Sequence, residues 1–227
     1  MIPWLVMVSC KPTEEPPSSV TVSALTAAPL EAVGSVVALR WEQDGPGEAL
    51  ATFSFEGEEA RTTPTIAAAA GENELLLLGV PYATEVTYTL TVTSEDGVEQ
   101  TTEEAVVSTT ERPDGLPVAE VLVADEAAWD ADAPYVLTAM NDVGGASGAW
   151  TFILDRKGRV VWALETPRER TTLHPRRSYD GTRILIDHNS FWAVFDGGEL
   201  SQVARVGIDG EIEELLDLSL IHISEPT

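Results

Sequence analysis

Apolar and polar side chains alternate with period two along most of this chain, and that pattern predicts strands. The cleanest stretch is Val86-Thr87-Tyr88-Thr89-Leu90-Thr91-Val92. Its apolar members face one side of a sheet and its threonines the other. Residues 20–25 alternate as well, 35–41 do so less cleanly, and strands over 49–55 and 72–78 follow. Glu95-Asp96-Gly97 reads as a hairpin turn, with glycine supplying the positive φ, and a returning strand is expected over 101–109. Four alanines at 67–70 would suit a helix by propensity, but directly before Gly71 they read as a loop or strand edge. About seven short strands in about 90 residues predict a sandwich.

Glu111-Arg112-Pro113-Asp114-Gly115-Leu116-Pro117 is a linker, and the pattern then changes. Strands are expected over 118–123, 134–140, 149–154 and 159–164, the last two joined by the turn Asp155-Arg156-Lys157-Gly158. Asp180-Gly181 joins a second hairpin, and Asp209-Gly210 joins a third between 202–208 and 211–216. The turns at Asp155 and Asp209 lie about 54 residues apart, near the period of about 40–50 of a four-stranded propeller blade. Two hairpins per interval favour a propeller over a second sandwich. Residues 118–217 hold about two blades, whereas closing a ring takes about 4–8. The expectation is an all-β chain: an immunoglobulin- or fibronectin type III-like sandwich over 20–110, a linker over 111–117 and an incomplete β-propeller over 118–217. Such a chain would leave an open sheet edge prone to aggregation.

Both ends read differently. Residues 1–9 are apolar and run into Cys10, the one cysteine. They are too short to cross a bilayer, which takes about 20 apolar residues. Ser9-Cys10 resembles the end of a bacterial lipoprotein signal peptide, without its usual basic start, which implies lipidation at Cys10. A buried or free thiol is the plainer alternative. The Pro-rich stretch 11–19 reads as an extended tether. Residues 218–227 resemble a translated sequencing adapter, which sets them, and His222, aside from fold and chemistry.

Charge narrows the partners. The 227 residues carry 38 acidic and 13 basic side chains, a net charge of −25. Such a surface repels phosphate backbones, so nucleic acid is not expected, and contact with membrane is expected only through a lipid anchor. One cysteine excludes an internal disulfide and a Cys-rich zinc site. Asp142-Val143-Gly144-Gly145 and Asp130-Ala131-Asp132 lack enough oxygen ligands at loop spacing for Ca²⁺, so no metal is assigned. Eight of the 13 basic residues cluster: Arg156, Lys157, Arg159, Arg168, Arg170, Arg176, Arg177 and Arg183. They form a cationic region for an anionic substrate or, on the plainer reading, solvated loops and turns.

Two stretches resemble known families. Leu78-Gly79-Val80-Pro81-Tyr82-Ala83-Thr84-Glu85-Val86-Thr87-Tyr88 resembles the loop-and-strand hallmark of fibronectin type III domains, with Tyr88 at the place of the corner tyrosine and Trp41 as the core tryptophan. This first module reads as a spacer or docking domain. Trp150-Thr151-Phe152-Ile153-Leu154-Asp155-Arg156-Lys157-Gly158-Arg159-Val160-Val161-Trp162 resembles the opening blade of bacterial arylsulfotransferases, and Ile208-Asp209-Gly210-Glu211-Ile212 is similar to a later such turn. Export signal, sandwich and propeller come in that family's order.

The resemblance implies transfer of sulfate from an aryl sulfate to a phenol through a sulfo-histidine, without cofactor or metal, in an exported, periplasmic or cell-surface protein. An imidazole nucleophile splits one transfer into two, and cationic or amide donors stabilise the charged oxygens. The family's His-rich motif does not occur here, so the nucleophile is expected beyond residue 217. Locally, His188 and Asn189 are the catalytic candidates, and Arg176, Arg177 and Arg183 the substrate-binding ones. A structural polar cluster is the competing reading of His188 and Asn189. A non-catalytic surface lipoprotein, with a sandwich stalk and a propeller that binds protein or glycan, is the alternative function.

Overall fold

The computed structural model describes residues 19–128, 130, 133–141, 148–167, 170–189 and 201–217. Cys10 and the leader, the tether up to Ser18, Arg168, the run 142–145 and the adapter-like tail lie outside the described residues.

The chain is all-β, and the strands among the described residues group in four antiparallel sheets. The first half contributes β1 (Val22–Pro29), β2 (Val37–Gln43), β3 (Gly47–Phe55), β4 (Arg61–Thr62), β5 (Ile66–Ala68), β6 (Gly71–Leu77), β7 (Glu85–Ser94), β8 (Glu99–Thr101) and β9 (Ala105–Ser108). One sheet runs β1-β2-β6 and the other β4-β3-β7-β8, with β5 on β3 and β9 on β7. Alternate residues of β2, β3, β6 and β7 bury between the two sheets, among them Leu39, Trp41, Phe53, Leu77, Tyr88 and Leu90. Each such side chain contributes about 1.5–3 kcal/mol by leaving water. Of the alanine run, Ala67 and Ala68 end the three-residue strand β5 and Ala69 and Ala70 lie beyond it.

The returning strand expected over 101–109 is instead two short strands, β8 and β9. Thr102 breaks the ladder, its N–H bonding to the Leu90 carbonyl while its hydroxyl accepts from Leu90 N–H. Tyr88 sits inside the core, where burial pushes its phenol up. The corner at Pro81 is held by Thr109, whose hydroxyl donates to the Pro81 carbonyl at 2.8 Å and accepts from Thr84 N–H at 2.9 Å.

The second half contributes a 3-10 turn (Glu126–Ala128), β10 (Tyr135–Asn141), β11 (Ala149–Asp155), β12 (Val160–Glu165), β13 (Arg176–Arg177), β14 (Ile184–His188), β15 (Gln202–Val206) and β16 (Ile212–Asp217). They form two antiparallel meanders, β10-β11-β12 and β13-β14-β15-β16. The strand expected over 118–123 does not form: the segment pairs with nothing there, and Leu122 and Val123 are both 84% exposed. A run of apolar residues does not by itself supply a strand's partner.

The repeat is sharper in the structure than in the sequence. Asp155 N–H bonds to the Arg159 carbonyl and Gly158 N–H to the Asp155 carbonyl. Gly207 N–H bonds to the Glu211 carbonyl and Gly210 N–H to the Gly207 carbonyl in the same way. Asp155 therefore corresponds to Gly207, an interval of 52 residues, while Asp209 occupies the third position of its turn. Both hairpins also carry a register shift next to the turn, at Ile153/Leu154 and at Arg205/Val206. Gly158 and Gly210 have φ of +77° and +87° in these turns.

The halves share cores. Val33 and Val36, from the β1–β2 connection, pack with Trp162, Ile184, Ile186, Ala204 and Val206 between the two meanders. The Ser35 hydroxyl donates to the Val161 carbonyl at 2.9 Å. The opposite face of β11 and β12, with Trp150, Phe152 and Ala163, closes against Leu116 of the linker and Tyr82 of the sandwich. The first module, expected to be a spacer or docking domain, therefore packs directly against the second.

Candidate functional site

Strand β14 decides where the candidate histidine lies. Ile184, Ile186 and His188 are buried on one face, and Leu185 and Asp187 are partly exposed on the other. His188 is 2% exposed and continues the face that packs between the meanders. Burial and the nearby Arg170 charge push its imidazole down, against the opposing pull of Asp187. The ring is thus held within the packed interior of the sheet. Asn189 continues the face of Asp187, and its side-chain amide donates to Asp187 Oδ2 at 2.6 Å. Two residues expected to act together are placed on opposite faces of one strand.

Around Asp187 the strand ends meet a fixed segment. Asp187 Oδ1 accepts from His174 N–H at 2.9 Å, from Leu173 N–H at 3.1 Å and from the Thr172 hydroxyl at 3.2 Å. Burial pushes the Asp187 carboxyl up, but these donors outweigh it, and it titrates below its ordinary value. From the other meander, Asn141 at the end of β10 donates through Nδ2 to the Thr172 carbonyl at 2.6 Å and accepts Thr172 N–H at 2.9 Å. Thr171 and Asn189 exchange both backbone hydrogen bonds, each at 2.8 Å. Arg170 Nη1 reaches the His188 carbonyl at 3.5 Å. Sequence reasoning missed Asn141, Thr172 and Asp187; a polar residue closing an apolar strand was the available signal at Asn141.

The candidate arginines fall in three environments. Arg176 opposes Leu185 and Arg177 opposes Ile184, so the two exposed side chains leave opposite faces of β13. Arg177 lies against Gly181 of its own turn. Arg183 pairs with Glu213 at 2.6 Å, and that bond holds the Glu213 carboxyl below its ordinary value. Among the described residues, no carboxylate pairs with Arg176 or Arg177.

Much of the remaining cationic cluster faces the sandwich. Glu58, 14% exposed, is 2.7 Å from Lys157, 2.6 Å from Arg159 and 3.1 Å from Arg61. The Lys157 hydrogen bond leads in holding its carboxyl down to about 2, with Arg159 adding to it against burial. Arg61 and Arg159 also lie over the Phe55 ring, 5.2 and 5.7 Å from its centroid. Beside them an open cleft of about 900 Å³ runs between the sandwich corner, the linker and the β11–β12 turn, lined by Tyr82, Glu85, Arg112 and Arg159 among others. Its walls carry both signs of charge and select no ligand class.

Among the described residues, no group of three or more His, Cys, Asp or Glu side chains is placed to hold a metal ion. No protein-family model matches the chain, and no curated protein matches it either.

Proposed function

We propose that this chain carries the sandwich and leading propeller blades of an exported arylsulfotransferase-like protein, lipid-anchored through Cys10. In its complete form that protein moves sulfate from an aryl sulfate to a phenolic acceptor through a sulfo-histidine. The observation that supports the reading best is the architecture: a sandwich followed by antiparallel meanders whose turns and register shifts repeat at a 52-residue interval. The side-chain amides of Asn141 and Asn189 and the Arg170 guanidinium also meet where β10 and β14 end. Those are the group types that stabilise charge on a transferred sulfuryl group.

Sulfate transfer from p-nitrophenyl sulfate to phenol by the complete gene product tests it. Acceptor-dependent release of p-nitrophenolate is expected; a folded product with no turnover removes the enzyme reading. For the anchor, Cys10→Ala is expected to shift the protein from the membrane fraction to the soluble one, and an unchanged distribution contradicts it.

A second reading is favoured by two specific observations. His188 is enclosed in the core, and Arg183 is neutralised by Glu213. Both suit a non-catalytic surface lipoprotein whose sheets bind protein or glycan.

A further inference from the structure

The two meanders repeat in more than their turns. Thr151 and Val203, 52 residues apart, pair with Ala139 and Asp187 of the preceding strands. β10 therefore corresponds to β14 with a shift of 48 residues, Val136 to Ile184, Leu137 to Leu185 and Asn141 to Asn189. On its far side β14 is covered: Ile184 and Leu185 pair with Arg177 and Arg176, and Asn189 bridges to Thr171. The corresponding side of β10 pairs with no strand among the described residues. Folded proteins usually cover, charge or shorten such an edge. β10 is seven residues long with no charged side chain, and its Val136 and Met140 are each 44% exposed.

The chain ahead of β10 carries the matching surplus. Residues 118–123 read Val-Ala-Glu-Val-Leu-Val. Val118 is 78% exposed, and Leu122 and Val123 are each 84% exposed, in a stretch that joins no strand. In the second meander the covering stretch likewise comes directly ahead of its sheet, over 171–177. Position in space agrees with order in the chain. A Cβ on Gly158 would stand 2.8 Å from Val121 Cγ2, which puts the segment beside the β11–β12 turn. Tyr135, the first residue of β10, pairs with Asp155 at the start of that same turn. Before the segment, Leu116 is fixed in the core with Trp150 and Phe152. After it the chain bends, as Asp125 accepts Ala127 N–H at its side chain, at 3.1 Å, and Ala128 N–H at its carbonyl, at 3.0 Å.

We infer that residues 118–123 are a strap that closes as a fourth strand on the free edge of β10, and that the placement seen here is its open state. The segment directly precedes β10 and the chain bends between them, so the closed pair is antiparallel. Closure gives partners to the edge N–H and C=O groups of β10 and removes apolar side chains of both strands from water. It also gives the first meander the four-strand order of the second. Opening leaves the edge free to take a strand from elsewhere. The inference does not rest on the sulfotransferase reading.

Amide hydrogen exchange of the full chain tests it. The amides of 118–123, and those of β10 that face away from β11, are expected to exchange about tenfold or more slower than unstructured chain, as one group. Successive residues of a strand point their N–H groups to opposite sides. Proline at Leu122 or at Val123 therefore takes a donor from the closed ladder whichever register forms. Both positions are exposed and make no hydrogen bond among the described residues, so the open placement tolerates either change. One of Leu122→Pro and Val123→Pro is expected to speed exchange at those β10 amides about tenfold while β7 is unchanged. Exchange of 118–123 at the rate of unstructured chain overturns the strap, as do two proline variants that both leave β10 unchanged. Protection that appears only together with a doubled mass in light scattering gives the edge to a second copy and overturns closure within one chain.

Discussion

Glu58 is one carboxylate serving three cations from two parts of the fold, and it is largely shielded from water. Removing this carboxylate takes the shared anion from three cations that still reach water, and Arg159 keeps Asp155. Glu58→Gln is therefore expected to destabilise the chain by about 1–2 kcal/mol at neutral pH, measured by urea unfolding. The folded carboxyl titrates at about 2 against an ordinary 4.5. A depressed pKa means that this contribution is complete above pH about 4.5 and is lost as the pH falls toward 2. The difference between parent and variant should shrink across that window, and a constant difference would contradict the assignment. Backbone conformation gives a second pair of expectations. Gly158 has a φ of +77°, and a Cβ there would stand 2.8 Å from Val121 Cγ2, so Gly158→Ala is expected to cost about 1–2 kcal/mol. Ala83 has a φ of +52°, and Ala83→Gly is expected to be neutral or stabilising by up to about 1 kcal/mol. Equal signs for the two changes in thermal melts would refute this view of the turns. His188 shows what single residues reveal in advance. Period two along Ile184, Ile186 and His188 already sets the imidazole with the isoleucines. The Asn141–Thr172 lock was not legible, because it joins positions 31 apart in sequence that only the packed sheets bring together.

At the scale of elements, the strands written by strict alternation are those observed, with β7 the clearest. Its apolar set Val86, Tyr88, Leu90 and Val92 lies wholly in the sandwich core. Residues 118–123 are rich in valine and leucine without period-two alternation and form no strand, since a strand also needs a neighbour with matching register. The β1–β2 connection was illegible for a related reason. Val33 and Val36 look like ordinary loop apolars, but they fill the space between the meanders. That placement makes the sandwich and the meanders one cooperative unit. Val36→Ala is expected to cost about 1–3 kcal/mol through the cavity it leaves. Its effect should appear in hydrogen exchange of β12 and β14 as well as β2. Faster exchange confined to β1 and β2 would show two independent modules.

At the scale of the whole molecule, the net charge of −25 and the local cation clusters pull in opposite directions. Among the described residues, Arg159 pairs with Asp155 and Glu58 and Arg183 with Glu213 in partly shielded contacts, whereas Arg40 with Glu74 is an exposed pair worth little. Long-range repulsion among the excess carboxylates is screened beyond about 8 Å at an ionic strength of about 0.15 M. The contacts at Glu58 are short and partly buried and feel salt less. Raising the salt is therefore expected to raise Tm, and a fall in Tm would mean that the ion pairs outweigh the repulsion. A covalent sulfuryl intermediate on a histidine of the complete protein is the central chemical proposal. The most direct measurement is the intact mass of the complete gene product, quenched after exposure to p-nitrophenyl sulfate without acceptor. A sulfo-histidine route predicts a gain of one sulfuryl group on a histidine, discharged when phenol is added. An unmodified protein that remains folded under those conditions would contradict it.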